Sequence, residues 1–192
     1  YMNKIAIGKG YSDDVIDLDA SVQHNIKSLA DAKKVKPSDI SACVLERDRH
    51  AEIIESLRAT GSRVILIPDG DVAGVMMTSQ EEVDVDIYFG TGGAPEGVLA
   101  AAALQCIGGQ MQTRLVIRND DEKKRAEKAG IKDLDKKYYI DDLAFGDIVF
   151  VATGVTEGTM VKGVKKYSNS FLTHSIVLRS DFNTTQYIQT YH

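Results

Sequence analysis

Cysteine and proline are scarce in this chain of 192 residues. Its 2 cysteines, Cys43 and Cys106, lie among apolar residues without the spacing of a metal-binding motif, so we interpret them as reduced core residues of a cytoplasmic protein. The 3 prolines and the short loops leave no stretch that resembles an internal linker. No apolar run approaches the roughly 18 residues of a membrane span, and no signal-peptide pattern opens the chain. We expect one compact domain, or an incomplete larger one, with no membrane partner.

Basic residues are also fewer than acidic ones, 23 against 28. The formal net charge is -5, which argues against nucleic acid as a general partner. A phosphorylated ligand would therefore need arginine or lysine residues concentrated at one place in the fold.

Strand and helix patterns alternate along most of the chain, and no internal repeat is visible. The predicted strands of this part are Lys4–Gly8, Val15–Leu18, Ile40–Leu45, Val64–Ile67, Val83–Phe89, Gln112–Ile117 and Asp147–Ala152. The predicted helices are Ser21–Lys34, Asp48–Thr60, Asp71–Ser79, Ala94–Ile107 and the highly charged Asn119–Ala129. The pattern then changes to the antiparallel strands Val161–Tyr167, Thr173–Arg179 and Thr185–Gln189. The fold class is therefore α/β with a mixed sheet.

A glycine-rich turn, 90–98, follows a predicted strand and opens a helix. Its glycines allow close backbone approach, Pro95 suits the first helical turn, and free N–H groups at a helix start favour an anion. Glu96 is the one charged residue at the start of an otherwise apolar helix. It either complements the helix dipole or binds a divalent cation that would bridge it to a phosphate.

A second turn, Ile67–Gly74, also lies where a strand ends and a helix begins. Ligands of open α/β sheets gather outside the carboxyl ends of the strands. Asp69 and Asp71 could accept hydrogen bonds from sugar hydroxyls or bind metal. The alternative is an ordinary turn in which Asp71 caps the helix.

A third turn, Leu45–His50, carries Arg47 and Arg49, whose planar guanidinium groups suit a phosphate. The alternative is a surface cluster in which these arginines pair with Glu46 and Asp48. We interpret His50 beside them as structural.

The other histidines give no clear site. His24 lies on the polar side of its predicted helix and His192 is terminal. His174, in a predicted strand, is either in the core or close to a site, and we favour the core.

A fourth turn follows the strand that begins at Asp147, where Thr153 and Thr156 could donate hydrogen bonds. If all four turns face one end of a sheet, they bring together cations, carboxylates and backbone donors. The residues alone thus predict an α/β protein that binds a small anionic ligand, either directly or through a metal ion.

At these turns the sequence resembles the class II fructose-1,6-bisphosphatases of the bacterial glycerol-regulon type. The resemblance covers nearly the whole chain in order, and its matching strings are Tyr1-Met2, Val15–Leu18, Arg49-His50, Ile67–Ala73, Gly92–Val98, Ala152–Thr156 and Thr173–Ser175. It implies the layered sheets and helices of the lithium-sensitive sugar-phosphatase fold. It also implies a gluconeogenic hydrolase that converts fructose 1,6-bisphosphate to fructose 6-phosphate and phosphate with Mn²⁺ or Mg²⁺.

The resemblance also implies roles for single residues. Glu96 matches the family's metal ligand after the Gly-Gly-Ala-Pro turn. The positions that match contacts to the sugar phosphate are Tyr1, Arg47, Asp48, Arg49, Asp69, Gly70, Asp71 and Gly93. Asp48 stands where the family more usually has proline, and it adds a negative charge beside Arg47.

The family's other metal ligands and its water-activating groups lie upstream of the position that matches Tyr1, so the resemblance identifies no catalytic residue here. The chain also enters an apolar stretch at once, without an initiator methionine. We therefore expect residues 1–192 to be the C-terminal part of the enzyme, with the upstream part as partner and a homo-oligomer as the assembly. The alternatives are a sedoheptulose-1,7-bisphosphatase or dual-specificity relative, and a non-catalytic sugar-phosphate-binding protein.

Overall fold

A computed structural model of the protein describes residues 1–192. Its strands are β1 (Met2–Ile7), β2 (Ser41–Leu45), β3 (Arg63–Ile67), β4 (Ile87–Gly92), β5 (Gln110–Leu115), β6 (Tyr138–Tyr139), β7 (Val149–Thr153), β8 (Lys165–Lys166), β9 (Phe171–Arg179) and β10 (Thr184–Tyr191). Its α-helices are α1 (Val22–Lys33), α2 (Ala51–Ala59), α3 (Asp71–Met77), α4 (Ala94–Ile107), α5 (Asp120–Lys128) and α6 (Ile140–Leu143). Single 3-10 turns cover Pro37–Asp39 and Asp48–His50.

The larger sheet has six strands in the order β3-β2-β4-β1-β5-β6. Strand β2 is parallel to β3 and β4, whereas β1 is antiparallel to both of its neighbours, β4 and β5. Met2 at the start of β1 is consequently paired with Gly92 at the end of β4 and with Leu115 at the end of β5. The start of β1 and the carboxyl ends of β2 to β5 therefore lie along the same end of the sheet. We call this row of strand ends the edge.

The smaller sheet is antiparallel, with the order β10-β9-β7 and with β8 paired to β9. Helices α3 and α4 lie between the two sheets. Leu104 of α4 packs in one apolar cluster with Tyr88 of the larger sheet, and Ala103 packs in another with Ile176 of the smaller sheet. Burial against both sheets explains the apolar residues of α4 from Ala100 to Leu104, whereas Val98 and Leu99 in its first turns are exposed. Helices α1 and α2 cover the opposite face of the larger sheet, so the expected layered α/β fold is confirmed.

Two predicted strands were wrong. Val15–Leu18 forms no strand, because side-chain amides take its backbone donors: Asn25 Oδ1 accepts from the Asp17 N–H at 2.7 Å, and Gln112 Oε1 accepts from the Leu18 N–H at 2.8 Å. Of Val161–Tyr167, only the two residues of β8 pair as a strand.

The predicted helices are confirmed, although Asp48–Thr60 opens with its 3-10 turn and Asp71–Ser79 ends at Met77. The predicted strand Val83–Phe89 starts only at Ile87, and the short elements β6 and α6 were missed. Both cysteines are free and buried, and burial raises the pKa of the Cys43 thiol to about 12. None of the helices is long and apolar enough to span a membrane.

Candidate functional site at the edge of the larger sheet

Three of the four predicted turns meet at one edge of the larger sheet. They follow β2, β3 and β4, which are mutually parallel, so their carboxyl ends point the same way. The expectation for the fourth turn was wrong, because the strand that ends at Thr153 belongs to the smaller sheet. A position that sequence reasoning missed also joins this edge, since Arg118 follows the end of β5.

The start of α4 lies at the centre of this edge. Gly93 is the residue before the helix, with an extended backbone (φ -60°, ψ 145°), and the exposed Glu96 lies in the first turn. The Glu96 carboxylate folds back over Gly93 so closely that a Cβ on Gly93 would overlap its Oε2 atom. The absence of a side chain at Gly93 thus lets a carboxylate sit at the helix start.

A buried ion pair lies beneath this turn. Lys4 of β1 is 2% exposed, and its Nζ donates to Asp71 Oδ2 at 2.6 Å and to the Gly93 carbonyl at 3.0 Å. A Cβ on Gly92 would meet Asp71 Oδ2 and would lie 3.0 Å from Lys4 Nζ. Asp71 is itself only 8% exposed, so its carboxylate is held by Lys4, a partner that the sequence did not reveal.

Arg49 and His50 join the ends of β2 and β4. Arg49 Nε donates to the Thr91 carbonyl at 2.8 Å, and the Thr91 N–H donates to His50 Nε2 at 2.8 Å. Since His50 Nε2 accepts, Nδ1 carries the proton and donates to the Leu45 carbonyl at 2.8 Å. Burial lowers the pKa of His50, which favours this neutral form. His50 is therefore a structural residue, as interpreted.

The exposed residues of these turns are not tied to one another. Arg47 Nη1 donates to the carbonyl of its neighbour Glu46 at 2.7 Å, and neither arginine forms an ion pair with Glu46 or Asp48 within residues 1–192. The alternative of a surface ion-pair cluster is thus wrong. Asp69 is exposed beside Gly70, whose left-handed backbone (φ 78°) precedes α3.

Two guanidinium groups contact the ring of Tyr1. Arg49 Cζ lies 5.6 Å and Arg118 Cζ lies 4.2 Å from the centroid of the Tyr1 ring. Arg118 is in turn paired with Glu122, and this guanidinium lowers the pKa of the Glu122 carboxyl to about 2. A basic residue directly after a strand and before the helix cap Asn119 was the available sequence signal for Arg118.

Within residues 1–192 no three histidine, cysteine, aspartate or glutamate side chains are grouped so as to hold a metal ion. Glu96 thus belongs to no such group within residues 1–192.

Layered sheets and helices, with arginines, carboxylates and a glycine-rich helix start along one sheet edge, define an α/β protein of the class whose ligands bind at strand ends. The profile of a family described as bacterial fructose-1,6-bisphosphatase, glpX-encoded, matches residues 1–192. The chain belongs to this family.

Individual relatives agree with the profile. The chain is 35% identical over 206 residues to the fructose-1,6-bisphosphatase class 2 of Haemophilus influenzae, covering 100% of this chain and 61% of the relative. It is 33% identical over 208 residues to the D-fructose 1,6-bisphosphatase class 2/sedoheptulose 1,7-bisphosphatase of Synechocystis sp., and 32% identical over 205 residues to the protein of that name in Trichodesmium erythraeum. Each of these two matches covers 100% of the chain and 59% of the relative. The chain thus spans about three fifths of the length of the curated relatives it matches.

Proposed function

We propose that this chain is the sugar-phosphate-binding part of a cytoplasmic, gluconeogenic phosphatase that hydrolyses fructose 1,6-bisphosphate to fructose 6-phosphate and phosphate. The observation that carries the proposal is the meeting of the turns after β2, β3 and β4 at one edge of the larger sheet. Membership of the bacterial fructose-1,6-bisphosphatase family supports the choice of substrate.

Different residues of this edge bind different parts of a polyol phosphate. Arg47 and Arg49 bind a phosphate by charge-assisted hydrogen bonds, with Tyr1 packed against Arg49. Arg49 Nε is taken by the Thr91 carbonyl, so its terminal nitrogens remain for the ligand. The neighbouring Asp48 limits the net positive charge.

The second and third turns complete the proposed contacts. Asp69 and Asp71, on either side of Gly70, accept hydrogen bonds from sugar hydroxyls. Because Lys4 binds Oδ2 of Asp71, this role falls to its other oxygen, Oδ1. Gly93 brings the backbone close to the ligand.

Glu96 supplies one ligand to a Mn²⁺ or Mg²⁺ ion. When bound, such an ion would polarise the phosphoryl group and reduce its repulsion from the carboxylate. Divalent ions of this kind normally take six or more oxygen ligands, part of them water. We propose that the upstream part of the same enzyme brings the remaining ligands and the groups that position water, so that residues 1–192 act as its C-terminal part within a homo-oligomer.

A phosphate-release assay with Mn²⁺ tests this division of labour. Purified chain alone should not hydrolyse fructose 1,6-bisphosphate, whereas chain mixed with the upstream segment of the family should. Robust turnover by the 192 residues alone would show that the remaining metal ligands do not lie in the upstream part. Binding of the sugar phosphate without turnover in the mixture would instead favour a non-catalytic binding protein.

A Glu96→Gln variant tests the metal ligand in the active mixture. The variant should keep the fold and lose most metal-dependent activity, with the loss most severe at limiting Mn²⁺. Glu52→Gln is the matched control, because Glu52 also lies in the first turn of a helix, α2, away from the proposed metal. If both variants work normally at limiting Mn²⁺, Glu96 only complements the helix dipole.

A second substrate has a specific observation in its favour, since the two cyanobacterial relatives are named for both fructose 1,6- and sedoheptulose 1,7-bisphosphate. The open edge, where Arg47 and Asp69 are exposed, would accept a longer sugar. Comparing kcat/KM for the two bisphosphates in the active mixture decides between a single and a dual specificity.

A further inference from the structure

Arg118 has a position that the family resemblance did not assign. It lies three residues beyond Leu115, where β5 ends on the same edge as the proposed site. Its guanidinium and that of Arg49 both contact the ring of Tyr1, at 4.2 and 5.6 Å from Cζ to the ring centroid. Two cations from different strand ends are thus brought together around one aromatic ring.

The orientation of Arg118 is fixed from one side. Glu122 Oε1 accepts from Arg118 Nε at 2.9 Å and also from Nη2, while Glu122 Oε2 accepts from the Arg118 backbone N–H at 2.9 Å. Asn119 holds Glu122 in place by accepting from its backbone N–H at 2.9 Å. Arg118 Nη1 takes no part in the hydrogen bonds to Glu122, so this part of the fork is available to a ligand.

A cavity of about 440 Å³ opens beside this guanidinium, between the start of α4 and helix α5. Arg118 and Arg125 line it together with Tyr1 and Gly93. Glu122 is the one acidic residue in the lining, and Arg118 neutralises it. In a chain with a net charge of -5, the lining of this cavity thus carries one more basic than acidic residue, with Arg125 beyond the Arg118–Glu122 pair.

We propose that Arg118 binds the phosphate group that the reaction leaves on the sugar, acting with Arg49, whose guanidinium contacts the same Tyr1 ring. The inference rests on the proposed function. The reacting phosphate must reach the metal at Glu96, which does not line this cavity, whereas Gly93 does. The other phosphate therefore has no metal ion to offset its negative charge. The planar guanidinium groups of arginine residues are suited to binding and neutralising it.

The test compares sugar-phosphate binding by the wild-type chain and by Arg118→Met, measured by isothermal titration calorimetry. Fructose 6-phosphate, fructose 1-phosphate and fructose 1,6-bisphosphate are the probes, and circular dichroism checks the fold. Loss of a charge-assisted hydrogen bond should raise the Kd for fructose 6-phosphate and for the bisphosphate about tenfold or more. The Kd for fructose 1-phosphate should change less than threefold, and Arg118→Lys should be intermediate.

Arg179→Met is a matched control, because Arg179 also pairs with a carboxylate, Asp181, and lies over an aromatic ring, Phe182, at 4.7 Å. It lies on the smaller sheet, so its loss should leave every Kd within twofold of wild type.

Three outcomes would overturn the inference. If Arg118→Met binds fructose 6-phosphate as wild type does, Arg118 is only a surface ion-pair residue, while the proposed function stands. A selective loss of fructose 1-phosphate would mean that Arg118 serves the other phosphate. If the wild-type chain binds no sugar phosphate at millimolar concentration, either alone or mixed with the upstream segment, both this inference and the proposed function fail.

Discussion

Replacing Lys4 by methionine should destabilise this protein more than the loss of any exposed charge. The Lys4 side chain is 0% exposed and its partner Asp71 is 10% exposed, so little of either group is in contact with water when the other is removed. Methionine fills much of the same volume without a charge. The variant therefore leaves Asp71 buried without its cation, and it leaves the Gly93 carbonyl without a donor.

The expected loss follows from this burial. Removing one partner of a buried ion pair costs about 3–5 kcal/mol, because the remaining charge is uncompensated. For a chain of this length, each kcal/mol lowers Tm by roughly 2–4 °C, so the midpoint should fall by roughly 6–20 °C. The exposed pair Lys27–Asp31, with side chains 71% and 65% exposed, should lose only about 0.5 kcal/mol in Lys27→Met.

Urea unfolding followed by circular dichroism gives the free energy of unfolding of both variants. The double variant Lys4→Met/Asp71→Leu removes both charges and should recover much of the loss, because buried pairs are often no better than apolar residues of similar volume. A Lys4→Met loss below about 1 kcal/mol, or a double variant whose loss equals the sum of the two single losses, would refute the reasoning.

Three further predictions concern buried groups. The unfolding free energy should fall as the pH drops from about 7 to 5. The reason is that the unfolded chain protonates His50 near its ordinary pKa of about 6.5, while burial lowers that pKa in the folded state. In urea titrations at the two pH values, His50→Gln should lack the part of this fall that is due to His50. Gly92→Ala should cost about 1–3 kcal/mol in the same assay, because its Cβ would meet Asp71 Oδ2. The buried thiols of Cys43 and Cys106 should not react with a disulfide reagent within minutes in the native state, and both should react in denaturant, as read by absorbance.

Much of the backbone could be predicted because its signals are local. Helix α4 begins and ends at the residues predicted, Ala94 and Ile107, since Pro95 marks its first turn and Gly108 follows its end. Three of the turns were placed at the correct strand ends for the same reason. The segment Val15–Leu18 could not be predicted, because its apolar residues resemble a strand while its backbone partners are distant side chains, including Gln112.

The sequence could not predict the partner of the charged residue Lys4. Lys4 lies in an apolar strand, where a lysine normally points to solvent, and its partner Asp71 is 67 positions away. The prediction that the fourth turn joins the other three was wrong for a related reason. The pattern of a strand that ends at Thr153 does not say to which sheet the strand belongs. Long-range pairing decides both questions.

The glycines of the turn before α4 have a role in addition to the one their sequence suggested. Close approach of backbone to an anion was the expected reason for them, yet a Cβ on Gly92 would meet Asp71 Oδ2, and one on Gly93 would overlap the Glu96 carboxylate. Each glycine thus makes room for a charged side chain of this chain, and Lys4 crosses the same space to reach Asp71 and the Gly93 carbonyl. Because the space and the charges depend on each other, substituting either glycine should move the carboxylates that we propose bind sugar and metal. In the proposed site, the glycine-rich turn therefore acts on the ligand through the placement of those carboxylates as well as through its own backbone.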